Sequence, residues 1–302
     1  MYPNKIFLGL TLYDILICLG ICICFVIFSV LADKRGIKAR HQKFSLICGC
    51  VGIGTGLFSA ALFQAIYDIP KKGKFEFLFR ITSEGKIEFV QGGITFYGGV
   101  VGGAACFLLI YFLGGYLFNK KYENPRYHNE QFFSMASCAV TSIAIAHSFG
   151  RIGCLMAGCC HGAETDAWYG LSMYVGGKWN NYVPTQLFEA VFLFLLFVFL
   201  FINAYRGGKY NLPIYMASYG VWRFIIEYVR DDYRGSIGID ALTPSQLIAI
   251  VMIVGAVGVF FLERWYSARL KARYAHIRPK ASIPLIYETE GGEESAEVNE
   301  NN

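Results

Sequence analysis

The sequence predicts an all-α integral membrane protein. Seven transmembrane helices are expected, with a small external β-hairpin or arm between the second and third. Three observations carry that prediction. Of the 302 residues, 55% are hydrophobic and only 16% charged, whereas a soluble domain carries about a quarter charged residues. Apolar runs long enough to cross a hydrocarbon core of ~30 Å, about 20 residues each, recur seven times. Basic residues gather in alternate connectors between those runs.

The runs lie near 10–32, 45–67, 95–118, 132–150, 186–205, 212–230 and 244–262, the fourth and sixth being the least apolar. The first is not a cleavable signal peptide. Its positive charges, Lys34, Arg35, Lys38 and Arg40, follow the apolar stretch instead of preceding it, and no A-x-A-like site appears. Between the second and third runs, "KFEFLFRI" and "KIEFV" alternate apolar and polar residues with the period of a strand. This segment, 68–92, reads as a hairpin on the membrane surface, its Lys71, Lys72, Lys74, Arg80 and Lys86 meeting lipid headgroups. Lys34, Arg35, Lys38, Arg40 and Lys43 fall in the first connector, Lys120, Lys121 and Arg126 in the third, Arg206 and Lys209 in the fifth, and Arg264, Arg269, Lys271, Arg273, Arg278 and Lys280 after the last run. That side is then cytoplasmic and the N-terminus external. Residues 1–280 read as one membrane domain, and residues 281–302 as an acidic, disordered cytoplasmic tail. No basic stretch is interleaved with stacking aromatics, which argues against nucleic acid as a partner.

In such a chain the informative residues are the polar ones that a bilayer should not tolerate. A charge at the centre of a span costs ~2.5–3.5 kcal/mol on insertion scales, so it needs a partner or a wet cavity. The sixth run reads "YGVWRFIIEYVRDDYRG". Arg223 and Glu227 are four apart and share a helix face, which suits either a structural ion pair or the wall of an anion pocket. Arg230, Asp231, Asp232 and Arg234 read as ordinary solvated interfacial charges. The fourth run ends "AHSFGRIGC" and places His147 and Arg151 four apart. Gly150 and Gly153 flank the arginine and permit close backbone approach. Guanidinium matches phosphate oxygens in bidentate fashion, so Arg151 is a candidate phosphate receptor.

The third run opens "QGGITFYGGVVGG". Gly98 and Gly102 have the spacing of small-residue helix packing; Gly98 and Gly99 can equally shape a cavity around Tyr97. "PTQLFEA" (184–190) and "TPSQLIAI" (243–250) are each a proline–hydroxyl–glutamine start to a helix, and Gln186 and Gln246 are candidate cavity linings. Seven of the ten cysteines lie inside apolar runs and behave as small hydrophobes. Cys154, Cys159 and Cys160 form a compact polar-flanked group with His161. Their C-x₄-C-C-H spacing is not the paired C-x₂-C of zinc sites, so no metal or other cofactor is expected. A disulfide within the group is one alternative; small linings beside Arg151 are the other.

"GGITFYGGVVGG", "GRIGCLMAGCCHG", "PTQLFEA", "YGVWRFIIEYVR" and "TPSQL" together resemble the prolipoprotein diacylglyceryl transferases of bacteria, in motif order and over nearly the whole chain. The resemblance implies a seven-helix enzyme of the bacterial cell membrane. Such an enzyme moves the diacylglyceryl group of phosphatidylglycerol onto the thiol of a lipobox cysteine in a prolipoprotein signal peptide, and glycerol phosphate leaves. It implies that Arg151 and Arg223 bind the phosphate, that Glu227 holds Arg223, and that Tyr13 in "LTLYDIL" orients the headgroup. Gly150, Gly153, Gly158 and Gly162 would shape the pocket. The chain departs from the family pattern at Tyr97, where most members have a histidine, at Cys154, where the signature has asparagine, and at Cys159, an acidic position in some members. His147, with His161 behind it, or the substrate phosphate is then expected to take the thiol proton. A small-anion transporter using Arg151 and Arg223, a thiol oxidoreductase using Cys159 and Cys160, and a divergent transferase with another acceptor are the competing readings.

Overall fold

The computed structural model describes residues 10–72, 79–81, 87–89, 96–120, 127–175, 177–230 and 242–275. The elements run α1 (Leu12–Lys34), α2 (Ala39–Lys72), β1 (Phe79–Ile81), β2 (Ile87–Phe89), α3 (Phe96–Leu109), α4 (Gly115–Lys120), α5 (Tyr127–Ala157), β3 (Leu171–Val175), β4 (Lys178–Tyr182), α6 (Thr185–Tyr205), α7 (Asn211–Ile226) and α8 (Pro244–Ala275). A π-helical turn, Ile110–Gly114, joins α3 to α4, and a 3₁₀ turn, Glu227–Val229, ends α7.

Helices stand at all seven expected positions. Among the described residues five are long and apolar enough to cross a membrane: Leu12–Lys34, Ala39–Ile66, Tyr127–Ala157, Thr185–Tyr205 and Pro244–Arg273. The other two fall short for different reasons. At the third position α3, the π turn and α4 follow one another without a break from Phe96 to Lys120, and Val101–Leu117 within them is a shorter apolar helix among the described residues. The sixth, α7, has 16 residues and carries Arg223 in its last turn. The paired strands β1 and β2 occupy the segment expected to be a hairpin, with Phe79 opposite Phe89 and Ile81 opposite Ile87. A second hairpin, β3 with β4, was not foreseen. Its register runs from Leu171 opposite Tyr182 to Val175 opposite Lys178. The tail at 281–302 and the charges Asp231, Asp232 and Arg234 lie outside the described residues.

The chain forms two compact units, residues 37–136 and residues 1–36 with 137–302. Large apolar side chains such as Val26, Leu195 and Val254 are exposed, while Gln186, Glu189 and Asn211 are fully buried. This inverts the soluble pattern and is what lipid demands. Hydrocarbon gives helices no hydrophobic reason to associate, so packing and internal polar bonds must hold them.

In the 37–136 unit the glycines do the packing. A Cβ on Gly103 would lie 2.8 Å from the Gly52 carbonyl oxygen, and one on Gly99 would lie 3.2 Å from both the Gly56 oxygen and the Ala60 Cβ. Gly98 meets Phe63, and its carbonyl accepts from Ser59 Oγ at 2.8 Å. Both four-residue glycine pairs, 98/102 and 99/103, therefore seat α3 on α2. Around the π turn, the buried Tyr111 hydroxyl donates to the His128 carbonyl at 2.8 Å and meets His41 Nε2 at 3.1 Å.

In the other unit, α1 begins with a capping box. Thr11 N donates to the Asp14 carboxylate at 2.9 Å, and Asp14 N donates to Thr11 Oγ1 at 3.3 Å. This fixes Tyr13 on the first helical turn. The fully buried Asn211 ties α7 to α5 and α6 through Thr141 Oγ1 (2.9 Å) and the Leu200 carbonyl (2.8 Å). Leu155, Met173 and Tyr182 form a small core under the second hairpin.

Overpacking a tight contact typically costs about 1–3 kcal/mol. Gly103→Val should accordingly lower the thermal midpoint of the detergent-purified chain by several degrees. Gly54→Ala, where an added Cβ meets nothing within 4 Å, should leave it unchanged.

Candidate active site

The site is built in the second unit around one carboxylate. Pro184 precedes the first residue of α6, and the helix that follows carries Gln186 and Glu189 three apart, on neighbouring positions of one face. Both are fully buried. Glu189 Oε1 receives Arg151 from α5 at 2.8 Å and the Tyr219 hydroxyl from α7 at 2.9 Å. Its Oε2 faces Arg230, beyond the 3₁₀ turn, at 3.8 Å. The side chains of Arg151, Arg230 and Glu189 are 14%, 2% and 0% exposed. Arg230 is thus not the solvated interfacial charge that its neighbours in sequence suggested. Its guanidinium is buried and adds a second positive charge near the Glu189 carboxylate.

Arg223 has its own pair. It meets Glu227 one turn along at 2.7 Å and donates to Ser245 Oγ at 2.9 Å. Glu227 also accepts from Thr243 Oγ1 at 2.9 Å. Thr243 and Gln246 cap α8 reciprocally: Thr243 N donates to Gln246 Oε1 at 3.0 Å, and Gln246 N donates to Thr243 Oγ1 at 3.2 Å. Gln246 therefore serves the helix end and not a cavity. The expected convergence of Arg151 and Arg223 on one point takes a different form. Arg151 shares a carboxylate with Arg230, while Arg223 stands on a second carboxylate. His147 is within electrostatic reach of Arg151, Glu189 and Arg223 alike.

His147 Nδ1 lies 3.2 Å from the Tyr215 hydroxyl, and its ring meets Tyr219 edge-on at 5.0 Å. Histidine, tyrosine and Glu189 thus form one connected polar wall. His161 points elsewhere, to the Gly162 carbonyl (2.9 Å) and the Tyr182 ring. The Tyr13 ring fills the space a side chain at Gly153 would occupy, 3.1 Å from its Cβ position, while Gly150 faces open space. Gly158 adopts a left-handed φ of +70°, and Gly162 is wedged against the Val229 carbonyl. Gln186 donates to the Cys159 carbonyl at 2.6 Å, and Thr185 to the Cys160 carbonyl at 2.8 Å. Arg151 Nε and Gln186 Oε1 are among the buried polar atoms that have no hydrogen-bond partner among the described residues.

The sulphurs of Cys154, Cys159 and Cys160 lie within 4.8 Å of one another. Cys160 lies within electrostatic reach of Cys154, Cys159, Arg230 and Arg151. Tyr97 lies in α3, in the other unit; its side chain is outside the described residues, and Gly98 and Gly99 beside it pack on α2.

Residues 4–262 match the family model described as prolipoprotein diacylglyceryl transferase. The chain belongs to the prolipoprotein diacylglyceryl transferase family. It is 30% identical over 259 residues to the phosphatidylglycerol–prolipoprotein diacylglyceryl transferase of Clostridium tetani, covering 84% of this chain and 93% of that one. Over 179 residues it is 34% identical to phosphatidylglycerol–prolipoprotein diacylglyceryl transferase 2 of Clostridium perfringens, with 57% and 63% covered. Over 249 residues it is 26% identical to the enzyme of the same name from Clostridioides difficile, with 81% and 87% covered. Membership in this family makes the chain a multi-pass membrane transferase and does not favour the transporter and oxidoreductase readings. The span containing Arg151, Glu189, Arg223 and Arg230 falls wholly inside the matched region.

Sequence reasoning passed over Glu189 and Arg230. The signal for the first was present: a carboxylate inside an apolar run is a functional candidate by default. Removing one partner of a buried ion pair costs about 3–5 kcal/mol. Glu189→Ala should therefore be strongly destabilised in thermal unfolding. Glu189→Gln, whose amide oxygen still accepts from Tyr219, should fall between it and the parent.

Proposed function

We propose that this transferase moves the diacylglyceryl group of phosphatidylglycerol to the thiol of a lipobox cysteine in a prolipoprotein signal peptide. The glycerol C–O bond to phosphate breaks, a C–S thioether bond forms, and glycerol phosphate leaves carrying the negative charge. The observation that supports this most directly is the buried Arg151 Nε, a charged donor with no hydrogen-bond partner among the described residues. Leaving such a donor unsatisfied costs about 1–3 kcal/mol or more, and an anionic substrate oxygen would satisfy it.

In this reading Arg151 and Arg223 grip the phosphodiester and stabilise the charge that grows on the departing phosphate. Glu227 holds Arg223 in place. Tyr13, packed at Gly153, orients the headgroup; Gly150, Gly153, Gly158 and Gly162 leave room for it, and Cys154 and Gln186 line the pocket. A phenol is a poor base near neutral pH, so the residue at the family's histidine position, Tyr97, does not take the thiol proton. His147 takes it, or the phosphate of the substrate does. With Nδ1 occupied by Tyr215, the other ring nitrogen would receive that proton. Residues 1–280 act as one membrane domain of the bacterial cell membrane, with the N-terminus outside and the tail cytoplasmic, as the basic connectors suggest.

The purified chain, given headgroup-labelled phosphatidylglycerol and a lipobox peptide, should release labelled glycerol phosphate in step with peptide lipidation. Arg151→Ala should cut that rate by about 10²–10³-fold, the range seen when one transition-state donor is removed. His147→Ala should cost about 10²–10⁴-fold if the imidazole is the base; an unchanged rate would assign the proton to the phosphate.

A further inference from the structure

We propose that Cys154, Cys159 and Cys160 form a three-thiolate site for a thiophilic d¹⁰ cation, of the class of Zn²⁺ or Cu(I). Zinc–thiolate bonds are about 2.3 Å long, so three sulphurs around one ion stand about 4 Å apart. The three here already lie within 4.8 Å of one another, so a closure of less than an ångström completes the set.

The arrangement is fixed by the backbone. Cys154 is in the last turn of α5. Gly158 at φ +70° reverses the chain, its N–H bonding the Leu155 carbonyl at 3.1 Å, and Cys159 N returns to the Cys154 carbonyl at 3.2 Å. Cys160 takes a left-handed φ of +62°, unusual for a non-glycine residue. Thr185 and Gln186 hold the carbonyls of Cys160 and Cys159 from the start of α6. The two adjacent cysteines, which in an extended chain would point apart, are thereby both turned toward Cys154.

Arg230 and Arg151 lie within electrostatic reach of Cys160, so a metal with three thiolates, net negative, would sit beside guanidinium groups. Cys159 is exposed and gives an ion a way in. Among the described residues no histidine or carboxylate joins the group, and His161 is turned to Tyr182. The site thus offers three protein ligands, suited to trigonal Cu(I) or to tetrahedral Zn²⁺ with a solvent ligand. The site shares Cys154 with the pocket proposed above, but its test needs no activity, so either reading can fail without the other.

The test is a titration of the reduced, detergent-purified full chain with Cd²⁺, followed by sulphur-to-metal charge-transfer absorbance. One equivalent should bind with the absorbance of three thiolates, and Zn²⁺ should compete. Cys159→Ala and Cys160→Ala should each weaken binding by more than the roughly 10–100-fold that loss of a mere outer-shell partner causes. A Cys18→Ala/Cys22→Ala variant, altered at two exposed thiols of α1, should bind as the parent does. Because a variant can misfold, the parent is also alkylated with and without Zn²⁺ and its cysteines mapped by mass spectrometry. The metal should protect Cys154, Cys159 and Cys160 selectively. Equal alkylation with and without Zn²⁺, equal affinity in the Cys160→Ala variant, or a disulfide between two of the three in the chain isolated without reductant would each overturn the proposal.

Discussion

The architecture of the site depends on one buried carboxylate. Glu189 is wholly removed from solvent on an otherwise apolar helix. Desolvating such a charge costs several kcal/mol even after relaxation, and only well-placed partners offset it. Three supply themselves from three places in the chain: Arg151 at the end of α5, Tyr219 on α7 and Arg230 beyond it. Neither α5 nor α7 can shift far without breaking a charge-assisted bond in low dielectric, where such bonds are strongest. The ion cluster therefore fixes helix positions as well as charge.

The two units solve the same problem by different means. Lipid-immersed helices must be held by close van der Waals contact or by internal polar bonds. Residues 37–136 use the first, with Gly52, Gly56, Gly99 and Gly103 bringing two backbones together. The other unit uses the second, through Glu189, the Arg223–Glu227 pair and Asn211. This explains why α5 is the most buried of the five long spans, half of its most apolar window lying inside the protein. A helix that carries His147 and Arg151 cannot face lipid and has to be surrounded.

The helices were legible because hydropathy over 20 residues is a strong signal. What the sequence hid was partnership. Arg230 is followed by two aspartates, which read as water-facing, and only the fold shows it aimed at Glu189. Glu189 itself was masked by the proline and glutamine of "PTQLFEA". The second hairpin carries the usual signs, with alternation in "LSMYV" and paired glycines after it. "TPSQ" contained a complete capping box, and its glutamine was still read as a cavity lining. Conversely, the pairing of Arg223 with Glu227 followed from helical spacing alone, as found.

The proposed anion pocket contains two carboxylates, which needs a physical account. A guanidinium has five N–H donors in a rigid fork, and one carboxylate engages only part of it. Glu189 takes one terminal nitrogen of Arg151 and leaves Nε without a partner among the described residues. The carboxylate therefore does not cancel the cation. It fixes the plane in which the remaining donor lies, so no rotamer entropy need be lost when a phosphate arrives. Water would satisfy the same donors equally well in a resting site, but it would have to reorient as charge built up on the leaving oxygen. Donors clamped from behind by buried carboxylates do not have to move, which is the condition for stabilising a transition state more than a ground state.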